Sequence, residues 1–184
     1  MDILLHICCA PCAIYPLKRL KEQGFGVSGI FYNPNIHPYQ EYKNRKTALE
    51  DFSSSCGLDV YYPEYLPFEF FRHINFMEQK PQRCPICWYQ RLKRTALTAK
   101  EKKLEYFTTT LLVSPYQDQE ALYKIGEDIA RQVGVKFYYE DFRTGFSDSH
   151  IQAKNSGMYC QSYCGCIYSE LERRQKHKAK KGNI

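Results

Sequence analysis

Apolar and polar positions change period along this chain, and the changes mark its elements. "DILLHIC", near the start, is a short apolar run that reads as a buried strand. "AIYPLKRLKEQ" then shows helical spacing, closed by Gly24 and Gly26. "VSGIFYN" reads as a second strand, stopped by "NPN", and helical spacing resumes from about Tyr39 to Ser55. "LDVYYPEY" reads as a third strand; Pro63 and Pro67 bracket a turn into a helix over "FEFFRHINFMEQ". "CPICWYQRLKRTALTAKEKK" reads as a further helix. "YFTTTLLV" is β-branched and almost uninterrupted, the pattern of a strand covered on both faces. "QEALYKIGEDIARQVG" is an amphipathic helix ending at Gly134, "VKFYYEDF" a last strand, and "IYSELERRQKHK" a C-terminal helix.

Strands and helices thus alternate. That order predicts an α/β fold, a doubly wound parallel sheet sandwiched by helices. In such folds ligands sit at the carboxyl ends of the strands, where the winding reverses. The loop after the first predicted strand occupies such a place, and dinucleotide binders put glycines there. Here it carries Cys8, Cys9, Pro11 and Cys12. The chain has no Gly-x-Gly-x-x-Gly, no Gly-Lys-Ser or Gly-Lys-Thr and no Ser-Gly-Gly-x-Asp-Ser loop, so a nucleotide triphosphate such as ATP is not expected.

Composition narrows the class. With 184 residues, 43% of them hydrophobic, the chain can bury one sizeable core, and no linker divides it. No apolar run reaches the roughly 20 residues that cross a bilayer, and "MDILLHI" lacks the features of a signal peptide. The expectation is a cytoplasmic protein with no membrane partner. The net charge is +6, and residues 173–184 hold six Lys or Arg and no acid. We therefore expect a single domain over residues 1–172 and a basic tail over 173–184. A second basic stretch, Lys80 to Lys103, has eight Lys or Arg against one Glu. Clustered positive charge suits a polyanion.

Nine cysteines are many for a reducing compartment, where they serve more often as metal ligands or redox groups than as structural disulfides. Cys56 stands alone near a predicted helix end and reads as a small packing residue. The rest are clustered. Cys84 and Cys87 form Cys-Pro-Ile-Cys, and Cys8 and Cys9 are adjacent at a strand end. Four thiolates suit tetrahedral zinc or a [4Fe–4S] cluster. Adjacent ligands are unusual for structural zinc and favour iron–sulfur. Cys164-Gly-Cys166 permits either a strained, redox-active disulfide closed by a turn at Gly165 or further metal ligands. Cys12 and Cys160 remain for a second metal site.

Six segments in order, "HICCAPC", "FYNPNIHPYQEY", "RCPICWYQRL", "TTTLLVSPYQ", "YEDFR" and "MYCQSYCGCIYSE", together resemble the QueH-type epoxyqueuosine reductases from His6 to about Glu170. The resemblance implies a HUP-like fold and an oxidoreductase of queuosine biosynthesis in tRNA processing. It implies reduction of the epoxide of epoxyqueuosine at the tRNA wobble position to queuosine, independently of cobalamin. It also implies a [4Fe–4S] cluster on Cys8, Cys9, Cys84 and Cys87, a redox-active pair at Cys164 and Cys166, and an additional mononuclear iron with Cys12, Cys160 or the Cys164/Cys166 pair as candidate ligands. An unidentified electron donor completes the set of partners.

Epoxide deoxygenation needs two electrons, a proton for the departing oxygen and a group to bind that oxygen. A dithiol holds two electrons, whereas a cluster passes one at a time. For the proton, Tyr163 is preferred for its place beside Cys164, over Tyr32, His37 and Asp141. For phosphate contacts, Arg91, Lys93 and Arg94 lie next to the Cys84–Cys87 motif. Rival expectations are an iron–sulfur tRNA sulfurtransferase-like enzyme, weakened by the missing ATP loop; a zinc-stabilised RNA-binding module, which leaves Cys164 and Cys166 idle; and a general thiol oxidoreductase acting on proteins.

Overall fold

The computed structural model describes residues 1–181; residues 182–184, the last of the basic tail, lie outside the described residues. Five strands form one parallel sheet: β1 (Asp2–His6), β2 (Gly26–Ile30), β3 (Val60–Tyr61), β4 (Tyr106–Thr109) and β5 (Lys136–Phe137). Their spatial order is β3-β2-β1-β4-β5, so the winding reverses at β1 and a crevice opens between the ends of β1 and β4. Ile3, Leu4 and Leu5 of β1 are fully buried, as a strand covered on both faces requires. The crossovers are α1 (Ala10–Glu22), α2 (Tyr39–Cys56), α3 (Pro67–Ile74) with α4 (Arg83–Glu101), and α5 (Gln119–Val133); α6 (Phe146–Asn155) and α7 (Ile167–Lys181) follow the sheet. The expected doubly wound, HUP-like α/β sandwich is the observed fold.

Several boundaries differ, each for a local reason. The strand expected through "YFTTTLLV" stops at Thr109, whose hydroxyl accepts the Leu111 N–H at 3.1 Å and starts a 3₁₀ turn over Thr110–Val113. This turn points Thr110 back at the thiol loop. The last expected strand pairs only at Lys136–Phe137; Asp141 then caps a 3₁₀ turn by accepting the Arg143 N–H at 3.1 Å. "FEFFRHINFMEQ" is helical only to Ile74, because Asn75 leaves helical geometry and Phe76 turns to φ +62°. Helix α6 falls where no element is expected; its buried contacts are Ser149 and Ala153, one turn apart. Cys56 ends α2, its thiol 3.7 Å from the Ser53 carbonyl. Helix α7 runs unbroken across residue 172.

Candidate functional site

The site begins where β1 ends. His6 is fully buried, its Nε2 3.2 Å from the Tyr32 carbonyl and its Nδ1 2.9 Å from the Thr109 hydroxyl. The carbonyl requires Nε2 to donate, so Nδ1 accepts from Thr109. Burial lowers the His6 pKa to about 4 and keeps the ring neutral. One ring therefore ties together the ends of β1, β2 and β4, from which the thiol loop springs.

Cys9 is the N-cap of α1 and Cys12 lies in its first turn, where the helix dipole favours negative sulfur. The sulfurs of Cys8, Cys9 and Cys12 all lie within 4.8 Å of one another, a buried group that could hold a metal ion. Thr110 accepts the Cys8 N–H at 3.1 Å and turns its hydroxyl proton to the Cys8 sulfur at 3.3 Å. The Gln161 amide nitrogen stands 2.9 Å from the Cys9 sulfur and 3.4 Å from that of Cys12. Hydrogen bonds from the Cys12 and Cys9 thiols hold Cys8 well below the usual thiol range. Burial pushes Cys9 well above that range, and Cys12, which donates to Cys8, is likewise held up.

Four further thiols gather round a cavity of about 370 Å³, lined by Cys84, Cys87, Cys164 and Cys166 together with Asn35, Phe70, Trp88 and Tyr116. Cys84 and Cys87 sit in the first turns of α4, which places both on one side of the cavity. Burial raises the pKa of Cys84 and pushes Cys87 to about 12. Cys164 opens onto the cavity and is exposed there, though protein crowds it on the other sides; that desolvation raises its pKa. Cys166 is buried with Phe70, Ile74 and Cys87, its sulfur 3.3 Å from the Ser169 N–H. All nine cysteines are free, so Cys164 and Cys166 stand as a dithiol.

Arg91 lies between the two thiol groups. It is 1% exposed, donates through Nε to the Cys87 carbonyl at 3.2 Å, and its charge acts on Cys87, Cys164 and Cys8. Its Nη2 is buried without a partner. Arg91, expected to contact RNA phosphate, is buried and faces the thiol-lined cavity rather than the outer surface. Arg91 follows Cys87 by four residues on α4 and so shares its helix face, a sign that could have been read from spacing. Lys93 and Arg94 are half-buried; the Lys93 ammonium sits 3.0 Å from the Tyr89 hydroxyl.

A second buried arginine holds the loop that carries Cys164. Arg45 is 1% exposed, pairs with Glu41 at 2.7 Å, and donates to the carbonyls of Cys164 (3.1 Å) and Tyr163 (2.9 Å). Tyr159 donates to the other oxygen of Glu41. The His37 N–H meets the Gly165 carbonyl at 2.8 Å, and Gly165 has φ +136°, a backbone state that favours glycine. Arg45, Glu41, Thr110 and Gln161 escaped the sequence reading; the Glu41–Arg45 spacing of four within a helix was the available signal.

Tyr163, expected to deliver a proton beside Cys164, instead donates its hydroxyl to the His37 carbonyl, and burial pushes its pKa to about 12. It acts as a strut between two loops. Tyr32 donates to Glu69 at 2.5 Å. His37 has both ring nitrogens buried without partners. Asp141 pairs with Arg143 on the surface. The Cys160 thiol is 3.4 Å from the Met158 carbonyl and does not join the triad.

A doubly wound parallel sheet with thiols at the position of a phosphate loop defines an α/β protein of HUP-like fold with a thiol-rich candidate site. The comparisons specify it further. The family model "Epoxyqueuosine reductase QueH" matches residues 3–172. The chain is 41% identical over 172 residues to an epoxyqueuosine reductase QueH of Dehalococcoides mccartyi, covering 93% of each chain. It is 36% identical over 183 residues to that of Thermotoga maritima, covering 95% of this chain and 93% of the relative. The fold is also similar to a solved structure described as a predicted subunit of tRNA methyltransferase from Methanocaldococcus jannaschii, with TM-score 0.57, 12% identity, and coverage of 84% and 74% of the two chains; at that identity the likeness speaks to fold alone. The chain belongs to the QueH family of epoxyqueuosine reductases and is an oxidoreductase. Among the described residues no helix is long and apolar enough to cross a membrane.

Proposed function

We propose that this chain deoxygenates epoxyqueuosine in tRNA to queuosine without cobalamin, using a [4Fe–4S] cluster on Cys8, Cys9, Cys84 and Cys87 and the dithiol of Cys164 and Cys166. The observation that carries this reading is the buried, under-partnered Arg91, whose charge acts on Cys8 of the thiol triad and on Cys87 and Cys164 of the thiol-lined cavity.

The residues fit such a centre. Its four ligands would all be thiols. Arg91 and Arg45 bring buried positive charge that thiolate ligands would balance, and the unpaired Nη2 of Arg91 calls for an anionic partner. Thr110 and Gln161 turn hydrogen-bond donors toward the sulfurs of Cys8, Cys9 and Cys12. When bound, the cluster would supply electrons singly, and an open iron would offer a Lewis acid to the epoxide oxygen. For a mononuclear iron, the geometry favours Cys12 over Cys160.

The protein's own residues account for the balance of the reaction. Both C–O bonds of the epoxide break, an alkene forms, and the oxygen leaves as water. That takes two electrons and two protons, which a dithiol yields as it closes to a disulfide. Burial keeps the Cys164 thiol protonated near neutral pH, so it brings its own proton to the cavity. Tyr163 need not donate. An external reductant then returns two electrons and two protons to the disulfide.

Two measurements test this. Anaerobically reconstituted protein should bind about four irons per chain and show a band near ~400 nm that bleaches on reduction. Cys164→Ser and Cys166→Ser should each lose multiple turnover. Full turnover in either variant would remove the dithiol from the mechanism. No iron after reconstitution, with one tight zinc, would favour a zinc-stabilised RNA-binding module.

A further inference from the structure

Helix α3 and the segment that joins it to α4 expose several large apolar side chains. Phe68 is 46%, Phe71 40%, Met77 49% and Phe76 91% exposed. Phe76 also has φ +62°, a conformation bulky residues rarely adopt. It therefore accepts backbone strain while its ring gains almost no packing. Strain of this kind is found where function holds it in place.

The segment continues into the reaction cavity. Phe70 lies under the exposed face, and Lys80 and Pro81 line the cavity beside Cys84. Phe71 stacks on His37 with ring centroids 4.6 Å apart, and the Arg72 guanidinium lies 4.9 Å from the Phe68 ring centre. The other border is cationic. Lys80 pairs with Glu172 of α7 at 3.0 Å, and Arg83 pairs with the same carboxylate. From Glu172 onward, α7 exposes Arg173, Arg174, Lys176 and Lys178, with no acid among residues 173–178.

Exposed aromatic faces beside a row of cations match one kind of partner, a polyanion with unstacked bases. We infer that Phe68, Phe71, Phe76 and Met77 form a stacking platform for unpaired loop bases of RNA, with the α7 cations on the adjoining backbone phosphates. The inference rests on the tRNA reading above and deepens it. The platform holds the nucleotides next to the modified base, and the cavity receives that base. A second protein chain with an apolar face would leave the α7 cations unmatched.

The test is binding of the full chain to a labelled RNA stem-loop, measured by fluorescence anisotropy beside a fully paired duplex of equal length at one salt concentration. Phe76→Ala should weaken stem-loop binding by about 5- to 100-fold, the range for one base–aromatic stack, and leave duplex binding unchanged. Phe76→Trp should restore it, and Phe68→Ala should show a smaller loss of the same kind. Because Phe76 is exposed, melting temperature should not move. Unchanged stem-loop binding in both alanine variants overturns the platform, as does an equal loss on stem-loop and duplex. Wild-type dimers that dissociate in Phe76→Ala would assign the face to self-association and overturn it too. Wild-type protein that binds neither RNA overturns the tRNA reading itself, a result separable from a platform that fails while α7 still binds.

Discussion

Replacing Arg45 by Met should loosen the thiol site from behind, without touching a cysteine. Arg45 is buried, closes an ion pair with Glu41, and holds two carbonyls of the Cys164 loop. Deleting one partner of a buried pair leaves the other charge uncompensated, which costs about 3–5 kcal/mol. The two carbonyl bonds fall within that figure, because the same guanidinium makes them. A domain of this kind has roughly 5–15 kcal/mol in all, so the loss is a large share. Taking about 4 kcal/mol and a urea slope of about 2 kcal/mol per molar, the midpoint should fall by about 2 M. The assay is urea unfolding of reduced, metal-free protein under anaerobic conditions, followed by two probes to check two-state behaviour. Alkylation of Cys166 at low urea reports local loosening of the loop. The double variant Glu41→Gln/Arg45→Met removes the stranded charge and should recover at least about 1 kcal/mol. The reasoning fails if Arg45→Met lies within about 1 kcal/mol of wild type, or if the double variant is no more stable than the single one.

Two further predictions concern the same loop. Gly165→Ala forces a Cβ onto φ +136°, 3.1 Å from Ile36 and 3.2 Å from the Asn35 amide, so it should lower turnover and raise Cys164 alkylation while far-ultraviolet dichroism stays unchanged. His37 is held neutral by burial, its pKa lowered from 6.5 to about 4. Between those values the unfolded chain binds a proton that the folded chain refuses, so stability should be fully present above pH 6.5 and decline as pH falls toward 4. His37→Gln should make that decline shallower in urea titrations across the window, the part due to buried His6, whose pKa is also lowered to about 4, remaining.

Much of the scaffold could be read before any coordinates. The apolar run of "DILLHIC" announced a buried strand, and Gly134, at φ +79°, ended its helix as expected. What escaped was decided by single side-chain contacts. Nothing in "YFTTTLLV" tells that Thr109 will fold its hydroxyl onto Leu111 and break the strand, although that break aims Thr110 at Cys8. The thiols were legible as chemistry, but not their grouping. Cys12 joins Cys8 and Cys9 because Cys9 caps a helix and Cys12 lies in its first turn, a geometry that depends on where the helix starts. Charge misled at Arg91, since a basic stretch read along the chain ignores which face of α4 each cation occupies.

The thiol triad and the thiol-lined cavity draw on three distant parts of the chain, residues 8–12, 84–87 and 161–166. The third part comes after every strand of the sheet and reaches back 118 and 119 residues to grip Arg45. A chain made from its N-terminus can complete the sheet and present Cys8, Cys9, Cys84 and Cys87 before the segment that seals them exists. Assembly in time thus leaves these thiols open during synthesis, and the last-made loop closes over them without any need to unpack the finished core.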